Sequence, residues 1–270
     1  MDFQGAGVVV TGAAGGIGAA LARRFHALGA QVVLSDLPGD RLTAAAAELE
    51  ARRPGSAWAV PSDVATEDGN RSLVKTASEL LVSGIDLFFA NAGVGTGTTL
   101  ETTSEAEWNT AFDVNVHAHR WAAKHLIPMW LDRGHGYFCS TASAAGLLSQ
   151  IGSMPYSVTK AAAVAFAESL QITYGDRGIR VSCLCPQGVN TDMLRQGDVP
   201  GVGTASSIVR AAGDVLEPED VAEFTSRAIE AETFLILPHA QVADFVQRKA
   251  ADRDRWLAGM RKLQARVLGS

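Results

Sequence analysis

No apolar run in this 270-residue chain approaches the length that a bilayer crossing needs; the longest are strand-like pieces such as Val8–Val10 and Leu87–Ala90. The N-terminal residues Met1–Gly5 carry no basic stretch and no cleavage pattern, so no secretory leader is expected. Cysteine is scarce. Cys139, Cys183 and Cys185 all fall in apolar, strand-like segments; the last two are too close for a usual disulfide, and a single C-x-C is poor zinc spacing. They read as small buried hydrophobes of a reducing compartment, and the cytoplasm is the expected location. Positive charge is not in excess either. A formal net charge of −6 gives no footing for nucleic acid or an anionic membrane as partner. His117 and His119 lie two apart in a helical stretch and do not share a face, so no metal site is expected, and the histidines read as surface or cleft-wall groups. With no repeat and no low-complexity linker, residues 1–270 are expected to form one domain.

What is present is alternation. Strands are expected at Gly7–Thr11, Gln31–Asp36, Ala57–Val60, Ile85–Ala90, Gly136–Thr141, Ile179–Cys185 and Phe234–Leu237. Helices are expected from about Gly16 to Leu28, through the Ala-rich run to Arg52, over Glu67–Val82, over Ser104–Asp132, and over Pro155–Gly175, where proline sits in the first turn. Such alternation implies an α/β fold of the Rossmann-like, doubly wound kind: about seven parallel strands with helices on both faces. Two stretches depart from the pattern. Residues 192–213 are rich in Gly, Ser and Asp without a period, and read as a lid over the strand ends. Residues 239–270 carry Val242, Phe245, Val246, Trp256, Leu257, Met260 and Leu263 among charges, which predicts an amphipathic helical tail. Those apolar groups need cover, and a second copy of the chain is the expected source.

The first strand leads into Thr11-Gly12-Ala13-Ala14-Gly15-Gly16-Ile17-Gly18 and then a helix. Bare glycines let backbone N–H groups approach a pyrophosphate at a helix N-terminus, where the dipole favours anions. Asp36 ends the second strand; a carboxylate there accepts from an adenosine ribose and repels a 2′-phosphate. Gly15 and Leu37 add no phosphate-binding charge, so NAD is the expected cofactor rather than NADP. Asp63-Val64 is placed to hold the adenine edge, and Asn91-Ala92-Gly93 lets the backbone come close to the cofactor.

Tyr156 and Lys160 are four residues apart, one helical turn, and Ser143 lies thirteen residues before the tyrosine. A cation beside a phenol favours phenolate and lowers its pKa, so Tyr156 becomes a proton carrier near neutral pH, with Ser143 offering a hydroxyl to the same substrate oxygen. Together with Asn115 and the run Pro186–Thr191, these motifs resemble the short-chain dehydrogenase/reductase family, ordinary single-domain type, from about Gly5 to Pro238. The resemblance implies Tyr156 as general acid/base, Lys160 on the nicotinamide ribose and beside the tyrosine, Ser143 on the substrate oxygen and Asn115 holding a relay water. It also implies Pro186, Val189 and Thr191 on the carboxamide. One position departs: the family usually has Gly directly after Pro186, and this chain has Gln187, which either meets substrate or points to solvent. Ala145, Leu147, Gln150, Gln187, Met193 and Leu194 are the expected substrate pocket, mostly apolar, suited to a lipophilic secondary alcohol or its ketone. The resemblance further implies a homodimer or homotetramer. A nucleotide-sensing protein without catalysis, or a related epimerase or dehydratase, are the rival readings.

Overall fold

Every residue of the first strand, β1 (Gly7–Thr11), is buried, and a strand buried on both faces needs cover on both. The computed structural model, which describes residues 1–196, 208–210 and 213–268, provides that cover in three layers. The sheet adds β2 (Gln31–Ser35), β3 (Ala57–Ala59), β4 (Leu87–Ala90), β5 (Gly136–Thr141), β6 (Ile179–Leu184) and β9 (Leu235–Ile236). Its order is β3-β2-β1-β4-β5-β6-β9, every pairing parallel. Successive side chains point to opposite faces. Val9, Phe88, Phe138 and Val181 therefore pack under α3 (Glu67–Leu80), α5 (Ala118–Arg133) and α7 (Met154–Tyr174). Val8, Val10, Leu87, Phe89 and Leu184 face α1 (Gly16–Ala27), α2 (Asp40–Arg52) and α9 (Pro218–Glu230). All three cysteines are buried free thiols.

Chain order reverses between β1 and β4, so a crevice opens beyond their C-terminal ends. Small elements that the pattern did not anticipate follow the strand ends: α6 (Ala144–Leu148), α8 (Asp192–Gln196), and a two-stranded parallel pair, β7 (Gly188–Val189) with β8 (Val215–Leu216); α8 and Val189 line the crevice. Helix α9 was not anticipated either. It starts with Pro218 and has Glu219 and Asp220 in its first turn, which suits the helix dipole. The run expected as one helix over Ser104–Asp132 is α4 (Glu105–Phe112), then a π-helical turn at Asp113–His117, then α5. Ser104 and Glu107 cap α4 reciprocally. Part of the expected lid, residues 197–207 and 211–212, lies outside the described residues.

The tail forms two helices, α10 (Gln241–Ala251) and α11 (Arg253–Leu268), separated by extended backbone at Asp252. The apolar residues near its start have cover within the same chain, while Leu257 is exposed. Val242 is buried against Ala144 and Leu148, with Phe245, Val246 and Trp256 around them. Lys249 Nζ donates to the Leu147 carbonyl at 2.6 Å. Among the described residues, no helix is long and apolar enough to cross a membrane.

Gly136 opens β5 directly beneath Trp130, whose indole N–H donates to the Ile85 carbonyl at 2.7 Å. A Cβ at Gly136 would lie 2.1 Å from the indole ring. Gly136→Ala should therefore destabilise the fold by about 1–3 kcal/mol, the usual range for overpacking a tight core. Urea unfolding checks this; an unchanged midpoint would mean that the ring has room to shift.

Candidate active site

The turn between β1 and α1 is bare where a ligand backbone would approach. Gly16 has φ +52°, a left-handed conformation that favours glycine. A Cβ at Gly18 would lie 2.1 Å from the Gly12 carbonyl oxygen, so only glycine lets the helix start so close to the strand. Asp36 closes the turn from β2: its Oδ2 accepts from Ala14 N–H at 2.9 Å and its Oδ1 from Leu37 N–H at 2.8 Å. Each carboxylate oxygen keeps a lone pair for a hydroxyl donor. A helix N-terminus, a glycine cradle and a free carboxylate edge fit a dinucleotide. One neighbour went unnoticed in the sequence. Arg41, on the first turn of α2, fills the space that a side chain at Gly15 would need and lines the same crevice. Its Nη1 pairs with Asp192 Oδ2 on α8 at 2.9 Å. The adenosine end is therefore less free of positive charge than Gly15 and Leu37 alone imply.

Asn91-Ala92-Gly93 is tied to β1 by Thr11, whose hydroxyl accepts from Asn91 N–H at 3.0 Å and Ala92 N–H at 3.1 Å. Asn91 Nδ2 donates to the Thr11 carbonyl at 3.0 Å, and Thr141 Oγ1 donates to Asn91 Oδ1 at 3.1 Å. Asn115, fully buried in the π turn, grips the next peptide. Its Oδ1 accepts from Val94 N–H at 2.9 Å, and its Nδ2 donates to the Val94 carbonyl at 2.9 Å and to Thr159 Oγ1 at 3.1 Å. The amide of Asn115 is thus engaged at both ends.

Tyr156 and Lys160 share a face of α7, as their spacing requires, and Ser143 ends the loop after β5 as the N-cap of α6, accepting from Ala145 N–H at 3.1 Å. Ser143 faces the phenol and draws its pKa down, yet burial outweighs this and holds Tyr156 above the ordinary tyrosine value. The expected lowering by Lys160 is absent from this arrangement for a geometric reason. Lys160 Nζ sits 5.6 Å from the Tyr156 ring centroid and donates to the Thr141 carbonyl at 2.8 Å. Lys160 is itself 2% exposed, and burial brings its pKa down to about 8. Beneath it lies His119, whose Nδ1 pairs with Ser140 Oγ at 2.8 Å; burial, with Lys160 nearby, pushes that imidazole down to about 3. His26, His119 and His239 are buried, contrary to the surface reading. Among the described residues, no group of three or more His, Cys, Asp or Glu side chains could hold a metal ion.

One crevice of about 810 Å³ runs from the glycine turn to the Ser143–Tyr156 end. It is lined by Gly12, Gly16, Ile17, Gly18, Asp36, Asp63, Val64, Asn91, Ala92 and Gly93, then by Ser143, Tyr156, Lys160, Pro186, Val189 and Thr191. Gln150, Gln187, Met193 and Leu194 join them, with Val94, Thr96, Thr98 and Val114, which the sequence had not singled out. Ala145 and Leu147 stand outside it. Ala145 is buried within α6, and Leu147 packs toward the tail cluster, because a helix shows the crevice only one of its faces. Gln187 lines the crevice, and its Oε1 accepts from Gln241 Nε2 of the tail at 3.2 Å.

A model of the family described as short chain dehydrogenase matches residues 6–198. The chain is 35% identical over 244 residues to 1-deoxy-11-beta-hydroxypentalenate dehydrogenase of Streptomyces exfoliatus, covering 89% of this chain and 85% of that one. It is 32% identical over 222 residues to meso-2,3-butanediol dehydrogenase of Serratia marcescens, covering 82% and 86%. Among solved structures, a short chain dehydrogenase/reductase from Burkholderia phymatum in complex with NAD superposes with a TM-score of 0.85 at 29% identity, covering 94% of this chain and 96% of that one.

Proposed function

This chain belongs to the short-chain dehydrogenase family, and from that premise we propose that it interconverts a lipophilic secondary alcohol and its ketone with NAD. The observation that carries the reading is the continuity of one crevice from the bare glycine turn and Asp36 to Ser143, Tyr156 and Lys160. When bound, the nicotinamide ring supplies the site that takes or gives the hydride. The protein's part is proton control and positioning.

Tyr156 Oη takes the alcohol proton during oxidation and returns one during reduction, and the Ser143 hydroxyl orients the same substrate oxygen. Lys160 has three N–H donors and uses one on Thr141, which leaves two for ribose hydroxyls. Since the Asn115 amide is engaged, a relay water next to Lys160 is held by main-chain groups of the π turn, where the regular hydrogen-bond ladder is interrupted. Pro186, Val189 and Thr191 hold the carboxamide, Asp63 and Val64 the adenine edge. At the substrate end the described lining is apolar groups, hydroxyls and the amides of Gln150 and Gln187; the cations among the described lining residues are Lys160 and Arg41, and the latter sits at the adenosine end. A sugar phosphate would find no cation waiting for it, whereas a neutral lipophilic alcohol fits. A panel of such alcohols and ketones, followed by NADH absorbance, tests the reading; no turnover with any of them, and none of the dinucleotide, would sink it.

Cofactor choice gives a sharper test. The unmodified protein should prefer NAD over NADP by about tenfold or more in kcat/KM, because Asp36 would face a 2′-phosphate with like charge. Asp36→Ala should narrow the ratio, and further than the carboxylate's loss alone implies, since Arg41 stands within the same crevice. Equal use of both cofactors by the unmodified protein would remove Asp36 as the discriminator.

A further inference from the structure

We propose that His239 is a positioning residue for the nicotinamide half of the cofactor, acting through the Gln187–Gly188 peptide. The inference rests on the reading above that Pro186–Thr191 faces the nicotinamide. His239 follows β9 and is 3% exposed. Its Nδ1 accepts from Gln187 N–H at 3.2 Å, and its Nε2 lies 3.0 Å from the Gly188 carbonyl oxygen. A carbonyl only accepts and an amide N–H only donates, so the partners define one state of the ring: neutral, with the proton on Nε2. The imidazole thus bridges two neighbouring backbone groups of a segment whose other main-chain ties include the short β7–β8 pairing and the Pro186 carbonyl, which accepts from Ala144 N–H at 2.9 Å. Two residues further on, Gln241 Nε2 donates to the Gln187 side-chain oxygen at 3.2 Å. The polar groups of Gln187 and the Gly188 carbonyl are therefore held from the start of the tail. This is the place where the chain carries Gln rather than the family's usual Gly.

Protonation would break the arrangement, because an Nδ1–H would meet the Gln187 N–H donor to donor. Burial lowers the His239 pKa, the largest effect; the Gly188 carbonyl and the main chain and carboxylate of Asp214 oppose it. Asp214, in the segment before β8, is the charged group acting on the ring, and β7 faces it with the uncharged Gly188 carbonyl. The bridge is complete at the ordinary histidine value of 6.5 and weakens only as pH falls through the folded value, which lies below it.

The test compares the full chain with His239→Ala and His239→Gln, measuring affinity by protein fluorescence for two ligands: the reduced dinucleotide that the unmodified protein binds, and ADP-ribose, which lacks the nicotinamide. A glutamine amide can accept from Gln187 N–H and donate to the Gly188 carbonyl but does not titrate. His239→Ala should bind the dinucleotide about tenfold more weakly, as expected for two lost hydrogen bonds partly transmitted to the ligand, with ADP-ribose affinity unchanged. His239→Gln should recover most of the loss and should not share the unmodified protein's weakening of dinucleotide binding as pH falls through the folded His239 value, below 6.5. Equal losses on both ligands, or none in the Ala protein, would overturn the proposal. Should the Ala protein not fold, the Gln protein decides: an acid weakening as large as that of the unmodified chain overturns it. An unmodified chain that binds neither NADH nor NADPH would instead sink the oxidoreductase reading on which the proposal stands.

Discussion

Tyr156→Phe is expected to lower turnover by about 10²-fold or more, the usual contribution of a positioned acid/base, while leaving dinucleotide affinity nearly unchanged. The ring sits at the end of the crevice with its hydroxyl toward Ser143, so Phe keeps the ring's packing and removes only the proton site. Direction matters for the pH profile. Burial favours the neutral phenol, which is the form needed to give a proton to a ketone, so reduction should be fastest at neutral and lower pH. Oxidation needs the ionised form and should accelerate as pH rises. The two directions should therefore show opposite limbs, measured as initial rates of NADH loss and gain, and both limbs should disappear with the Phe protein's residual activity. A Phe protein that keeps most of its turnover would move the proton to another group.

Lys160→Met carries the other large effect, and it has two signs. Turnover should again fall by about 10²-fold or more, because the proposed ribose contact is lost with the ammonium. The ligand-free fold, however, should become more stable. Lys160 is fully enclosed with a pKa near about 8 against an ordinary 10.5. The unfolded chain therefore holds that proton more tightly, and at pH 7 the folded chain carries a penalty of about 3 kcal/mol. Loss of the 2.8 Å bond to the Thr141 carbonyl offsets about 1 kcal/mol of the gain. Relative to the Met protein, the unmodified chain should gain stability as pH climbs from about 8 to 10.5, over a background that both share from the raised pKa values of buried Cys139, Cys183, Tyr137 and Tyr156, which acts in the opposite sense. Urea unfolding at pH 7 and at pH 10 reads both. A Met protein less stable than the parent at neutral pH would show that Thr141 and the Tyr156 ring compensate the buried ammonium fully. Such a trade of stability for function is common at sites that bury a charge.

The strands were legible because a sheet covered on both faces demands unbroken apolar runs, and β1, β4 and β5 are buried throughout. The glycine turn and the Tyr156–Lys160 pair were legible because each depends on short spacing within one or two elements. Features made by distant parts of the chain were not. Nothing in the Ser104–Asp132 pattern marks a π turn at Asn115, since the widened loop follows from packing against Val94 and Thr159. Lys160 was expected to act on the phenol; its actual partner is the Thr141 carbonyl, at the end of a strand far away in sequence. Arg41 reaches Gly15 only because α2 folds back over the turn. The tail offered apolar residues in need of cover; α6 of the same chain provides it for Val242, Phe245, Val246 and Trp256, which no periodicity could have told apart from a neighbouring copy, and Leu257 stays exposed.

The strand order has a consequence for a chain that leaves the ribosome from its N-terminus. β1 appears first; β2 and then β3 add to one side of it; β4, β5, β6 and β9 add in turn to the other. Every new strand thus docks on an edge already made, and none is inserted between two that are already paired. At any moment during synthesis there are two open edges, one of which is closed to further growth once β3 has docked. The nascent protein can assemble as it emerges, in the domain-wise manner that limits exposure of unpaired strands. The residues that bridge Gln187 and Gly188 arrive after the last of these strands, so the crevice is finished only after the whole sheet has been made.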